Sequence, residues 1–174
     1  LADIEAQFDA AEAAEMAAEV RDRTRREVAL VSLVDRLRAA IGAQVTLGVP
    51  HLGSVHGQVS GVGPDWLLLT ESPSRDVLVP LAAAITVGGL GPNADPPGGE
   101  VAARLGLRYA LRLLARDRAA VVITLSDGRA LTGTLDRVGA DFVDVAEHSG
   151  EGARREATRA TTVAFSAIVL IRST

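Results

Sequence analysis

Four arginines, Arg104, Arg108, Arg112 and Arg116, recur every four residues just after a stretch rich in proline and glycine. On a helix each such step drifts by only about 40°, so the four guanidinium groups make one continuous basic ridge. Like charges at this spacing cost a few tenths of a kcal/mol per pair. An anionic partner would offset that cost, whether RNA, an acidic lipid face or the six acids of residues 1–20. Arg154, Arg155 and Arg159 stand in a second polar stretch, His148 to Thr162. Candidate phosphate or anion contacts are therefore Arg104, Arg108, Arg112, Arg154, Arg155 and Arg159. The competing reading is a solvated helix face in an arginine-rich protein, since all 18 basic residues are arginine and none is lysine.

Other chemistries have less support. His51, His56 and His148 are the only histidines. The first two flank a turn, and no cluster of acids stands beside them to complete a metal set. Asp65 and Asp141 each open a strand after a glycine step, where a turn-capping oxygen explains them better than catalysis. Trp66 and Phe142 follow those aspartates. They could serve as base-stacking platforms, but rings flanked by Leu67, Leu68 and Leu69 read first as core, where truncation would cost roughly 3–5 kcal/mol. A phosphate-cradling glycine loop, a nucleophile elbow and a zinc-helix motif are all missing. The sequence thus points to no enzyme, no cofactor and no metal.

Charge and composition narrow the class further. A net charge of −4 argues against coating nucleic acid by bulk electrostatics, which needs clustered positive charge. The longest apolar run, Val77 to Gly91, is too short for a helical membrane span and is broken by Pro80 and glycines. With no cysteine, disulfides and thiolate metal sites are excluded and a reducing, cytoplasmic setting is expected. No secretory pattern is visible. The chain begins at Leu1 rather than a methionine, so a segment ahead of it stays open.

The elements that must position these residues are written twice. Val45-Thr46-Leu47 recurs as Ile123-Thr124-Leu125, and Gly57-Gln58-Val59 as Gly133-Thr134-Leu135. Val62-Gly63-Pro64-Asp65-Trp66 recurs as Val138-Gly139-Ala140-Asp141-Phe142. Each copy closes on an apolar run, Val79 to Ile85 and Val163 to Val169. Turn residues divide the first copy into strands near 43–49, 54–62, 65–72, 76–81 and 84–88. The second divides near 120–125, 130–138, 141–148, 161–165 and 168–172. Ser126-Asp127-Gly128-Arg129 is a good hairpin turn. Gly57 and Gly133, in mid-strand, mark a bend or bulge.

Helices precede both copies. Residues 1–42 lack proline, and lack glycine before Gly42, a natural stop, which predicts one long helix. Within it Leu30, Val34, Leu37 and Ile41 form an apolar stripe fit to pack on a domain. Residues 1–20 carry six acids and no base, whereas residues 21–42 carry six arginines and three acids. A second helix is expected over 100–118, with Ala103, Gly106 and Ala110 between Leu107 and Leu114 as its packing face. The expected organisation is a helix at 1–42, a five-stranded unit at 43–90, a linker at 91–99, a helix at 100–118 and a second unit at 119–174. About 55 residues make a marginal core alone, so each helix should supply missing apolar area.

This pattern resembles the Sm-like small barrel: an N-terminal helix and five strongly bent antiparallel strands. The resemblance rests on the hairpin Leu125 to Arg129, Gly133 in the second strand, the Asp141-Phe142 step and the short link Phe165 to Ile168. The two copies together cover about 130 residues. The chain further resembles uncharacterised actinobacterial proteins built as a long helix followed by two such units. The resemblance implies an α+β, mainly β fold of two tandem five-stranded antiparallel barrels. It also implies rings and binding of uridine- or adenine-rich RNA. The family's base-binding asparagine would fall just after the third-strand aromatic, where Leu67 and Val143 stand. Its basic step near strand five is replaced by Ala82-Ala83 and Ser166-Ala167. The expected function is therefore a non-enzymatic scaffold or protein-interaction module, with RNA binding in post-transcriptional regulation as the alternative. The N-terminal helix is expected to form a homodimer or dock a protein partner, its alanines at 6, 10, 13 and 17 allowing a coiled-coil-like close approach.

Overall fold

A computed structural model of the chain describes residues 2–96, 105–148 and 160–174, with side chains from Glu15 onward. It divides into two compact units, Leu1–Leu33 and Val34–Thr174.

The first unit is dominated by α1, Ala2–Ala29. Every described side chain from Glu15 to Leu33 is exposed, Met16, Val20 and Val28 among them. Local bonds hold the surface of the helix: Arg23 Nε pairs with Glu27 at 3.1 Å, and Thr24 Oγ1 donates to the Val20 carbonyl at 2.9 Å.

Residues 1–42, expected as one helix, are two. The chain leaves α1 at Leu30 and starts α2, Leu33–Ala39, after Val31-Ser32. The break has a local cause: Ser32 directly before a helix with Asp35 three residues on is a capping-box type sequence, and Val28 and Val31 are weak helix formers beside it. The expected stripe is corrected with it. Leu37 is fully buried and Val34 packs against the same core, but Leu30 and Ile41 are 85% and 57% exposed. Ala40 is the buried residue beyond Leu37. Gly42 takes φ +86°, a conformation open to glycine, and gives its N–H to the Val59 carbonyl at 2.8 Å.

Among the described residues the second unit carries ten strands: β1 Gln44–Val49, β2 Gly53–Val62, β3 Trp66–Ser72, β4 Arg75–Pro80, β5 Thr86–Gly88, β6 Ala120–Leu125, β7 Ala130–Val138, β8 Phe142–Glu147, β9 Ala160–Ala164 and β10 Ile168–Ser173. The fold is α+β and mainly β. The strands form one antiparallel sheet in the order β5-β1-β2-β3-β4-β10-β6-β7-β8-β9. This corrects the expectation of two separately closed barrels. The fourth strand of the first copy pairs with the fifth strand of the second, Ile171 opposite Leu78 and Arg172 opposite Val77, so the copies share one sheet.

Within the sheet the duplication is faithful to the residue. Val45 lies opposite Gly57 as Val121 lies opposite Gly133. Leu68 lies opposite Leu78 as Asp144 lies opposite Thr162. Leu47 lies opposite Val87 as Ile123 lies opposite Ile171. The counterpart of Val45-Thr46-Leu47 is therefore Val121-Val122-Ile123, not Ile123-Thr124-Leu125. The register shifts of β2 against β3 and of β7 against β8 fall between Val59 and Gly61 and between Leu135 and Arg137, beyond the mid-strand glycines expected to mark them. Gly57 and Gly133 instead let the neighbouring strand approach, where a side chain would meet the Thr70 and Ala146 carbonyls.

Two apolar cores lie against this sheet. The first is built from Val45, Leu47, Val59, Leu67, Leu69 and Val77 and is plugged by Leu37 of α2. The second is built from Val121, Ile123, Leu135, Val143 and Val145 and is plugged by Leu107 and Leu111 of α3, Leu107–Asp117. Strand β10 belongs to both, with Val169 and Leu170 in the first core and Ile168 and Ile171 in the second. Helix α3 is shorter than expected among the described residues: Gly106 is its N-cap and Arg118, at φ +48°, ends it. Residues 97–104 lie outside the described residues. The segment before them runs beside α2, where Arg36 donates to the Gly91 carbonyl at 2.9 Å and Asp95 N–H to the Asp35 carbonyl at 2.9 Å.

Candidate functional site

The junction between the two copies is the most elaborated surface of the second unit. Asp65 Oδ1 accepts the backbone N–H of Leu107 at 2.7 Å, and Trp66 Nε1 donates to the Leu105 carbonyl at 2.8 Å. Two adjacent residues of the first copy therefore satisfy and position the start of the second copy's helix. A carboxylate at a helix N-terminus fills one of the otherwise unpaired donors and meets the positive end of the helix dipole. Asp65 caps a helix rather than its own turn. Asp141, its repeat counterpart, is exposed.

The core reading holds in part for Trp66, which packs against the second core, and is corrected for Phe142. Trp66 is half-buried beneath α3 and Phe142 is 37% exposed. Each packs against a glycine, Trp66 on Gly63 and Phe142 on Gly139, where any side chain would collide with the ring. Beside Trp66, between α3 and the sheet, is an apolar crevice of about 150 Å³ lined by Trp66, Leu68, Leu78, Tyr109, Leu113 and Asp117. A second hollow of about 170 Å³ lies at the other end of the junction, lined by Pro50, Pro80, Ser126, Phe165, Ser166 and Val169.

Polar contacts fasten the copies together. Arg172 on β10 reaches across β4 to Glu71 on β3, Nη2 to Oε1 at 3.0 Å and Nε to Oε2 at 3.2 Å. Ser173 Oγ accepts the Asp76 N–H at 2.8 Å. His51 Nε2 lies 2.8 Å from the Ser126 carbonyl, joining the β1–β2 turn to the β6–β7 turn. His56 Nδ1 meets Thr46 Oγ1 at 2.9 Å. These two histidines thus serve the scaffold, and among the described residues no group of three or more His, Asp and Glu could hold a metal ion.

The predicted arginines are only partly gathered. Arg108 and Arg112 lie exposed on α3 with Arg116, which pairs with Asp117 at 3.3 Å. Arg104, Arg154, Arg155 and Arg159 lie outside the described residues.

The sequence reading missed a second polar cluster, on β7, β8 and β9. Asp144 is 6% exposed and accepts Thr162 Oγ1 at 2.6 Å together with Arg137 Nε and Nη2, both at 2.9 Å. The Thr162 hydroxyl first, and then Arg137, hold its carboxyl below the ordinary value against the opposing effect of burial. Thr161 donates to Glu147 next to it. Aligning the copies strand by strand would have exposed this cluster, because Arg137, Asp144 and Thr162 replace Gly61, Leu68 and Leu78. At the β6–β7 turn, the Arg129 backbone N–H and then its side chain lower the Asp127 carboxyl in the same way.

Among the described residues no helix is long and apolar enough to cross a membrane. No protein-family model matches the chain, and no curated protein matches it in sequence.

Proposed function

We propose that the chain is a non-enzymatic scaffold, a rigid two-copy platform that carries a helix for protein association. Each five-stranded half is read as an Sm-like small-barrel unit, the two joined β4 to β10. The same strand order and the matching register shift between the second and third strands of each half support this. The observation that carries the functional reading is α1. It is a helix of 28 residues whose described side chains are all exposed, apolar Met16, Val20 and Val28 included. A helix exposed all round draws little stability from itself in water and calls for a partner surface.

A second copy of the same helix fits best. In an antiparallel pair the acids of residues 1–20 lie near Arg21, Arg23, Arg25 and Arg26 of the partner copy, whereas a parallel pair stacks acid on acid. Exposed ion pairs are worth about 0–1 kcal/mol each, so they set orientation while apolar contact supplies the association. Sedimentation of the full chain beside Val20→Asp tests this. A dimer at tens of micromolar that dissociates in the variant is expected; a monomer, or an oligomer indifferent to the substitution, contradicts it.

RNA binding is the second reading, favoured by the exposed Arg108, Arg112 and Arg116 on one helix. It predicts saturable binding of uridine- or adenine-rich oligonucleotides that weakens steeply with salt and is lost in Arg108→Ala/Arg112→Ala. The scaffold reading predicts no such binding at physiological salt. The setting expected for either is the cytoplasm.

A further inference from the structure

Duplication provides an internal control for the sheet's outer edges. The junction shows what a productive contact between a fourth and a fifth strand requires in this protein. Leu78 and Ile171 face each other at 3% and 2% exposure, Val77 is fully buried, and Val169 and Leu170 insert into the other copy's core. Glu71–Arg172 and Asp76–Ser173 fasten the flanks.

The outer edges are β9 and β5, the counterparts of β4 and β10. Registers place Thr161 and Thr162 where the junction has Val77 and Leu78, and Ala160 where it has Asp76. On β5, Gly88 stands for Arg172 and Thr86 for Leu170. The strand spans three residues where β10 spans six. Glu147, counterpart of Glu71, is engaged by Thr161 of its own sheet. Asp144 and Arg137 stand where, in the first copy, Leu68 lines the crevice beside α3 and Gly61 lies against Trp66 and Leu68.

We infer that the two outer edges of the sheet do not accept a second copy of this chain, so the sheet ends at two repeats. A strand docking on β9 in the junction's register would bring threonine against Val87 in place of leucine against isoleucine. It would also dehydrate the Asp144–Arg137 pair, which costs more than an apolar contact of the same size. Short strands and inward-held charges are recognised means of keeping a sheet edge from templating another chain. A head-to-tail contact, once permitted, would propagate into rings or filaments. Self-association is thereby left to surfaces other than the sheet edges, and the inference stands whether or not α1 dimerises.

The chain has no cysteine, so a reporter pair can be placed cleanly. Gly88→Cys and Thr161→Cys mark the positions equivalent to the registered Arg172 and Val77, and both lie on the outer strands. Oxidation of the full-length double variant at tens of micromolar is expected to give no ladder of disulfide-linked multimers on a denaturing gel. An α1 dimer gives no ladder either, so the two associations are read separately. Adding Asp144→Leu and Thr162→Leu, which gives these two positions the first copy's residues, is expected to produce the ladder. A ladder in the protein without those leucines overturns the inference. Absence of a ladder in the leucine-restored protein, with its far-UV spectrum unchanged, overturns the role given to Asp144 and Thr162.

Discussion

Arg172 grips Glu71 through two nitrogens, at 3.0 and 3.2 Å, across a strand that belongs to neither residue. The pair is 29% and 18% exposed, which lifts it out of the class of surface ion pairs that contribute little. It spans the seam between residues 101 positions apart. Replacing one partner leaves the other poorly solvated, so Glu71→Gln is expected to cost about 1–3 kcal/mol in urea unfolding. A double-mutant cycle with Arg172→Met should return a coupling of about 0.5–3 kcal/mol; a coupling near zero would show that the seam is held by apolar contact alone.

Asp65 and Asp141 should part company under mutation. Asp65→Ala removes the acceptor at the start of α3 and is expected to destabilise by about 0.5–2 kcal/mol. Asp141→Ala, at an exposed position, should stay within about 0.5 kcal/mol of the parent. Thermal unfolding of the two variants side by side decides it, and equal losses would remove the capping role.

The aromatic rings make a matched test. Gly63→Ala and Gly139→Ala each push a methyl into the ring above. Trp66 is pinned under α3 by its hydrogen bond to Leu105, so Gly63→Ala should cost about 1–3 kcal/mol. Phe142 is more exposed and can swing away, so the loss at Gly139→Ala should be smaller. The reverse order would mean that α3 does not clamp Trp66.

Much of the fold was legible in the sequence. Strand positions followed from turn residues, because Gly63-Pro64, Ser72-Pro73 and Asp127-Gly128 each leave the chain few alternatives. The break at Leu30-Val31-Ser32 was not read, since helix propensity summed over 42 residues outweighs one capping sequence. Separate barrels were expected because local pattern is silent about which edge a fourth strand chooses. That choice was settled by β10, whose unbroken apolar run Ile168 to Ile171 suits a strand with a core on each face. The site was less legible. Asp65 looks like any turn aspartate until the helix it caps is brought back from 42 residues away.

Acid stability should report on Asp144. Its carboxyl is depressed below 3.8 by Thr162 and Arg137. A depressed carboxylate stabilises the fold above its unfolded pKa and loses that contribution as pH falls through its folded pKa. The urea midpoint of the parent should therefore approach that of Asp144→Asn as pH drops from about 5 to below the ordinary carboxylate range. A difference that is constant with pH, or that grows on acidification, would assign the stabilisation to something other than the charged form.

Crosslinking in living cells, with the attached protein and RNA both identified, tests the scaffold reading most directly. The account predicts that the full chain recovers a second copy of itself or one defined protein partner through α1, with no class of transcript enriched. Specific enrichment of transcripts, abolished by Arg108→Ala/Arg112→Ala while protein crosslinks at α1 are absent, would contradict it.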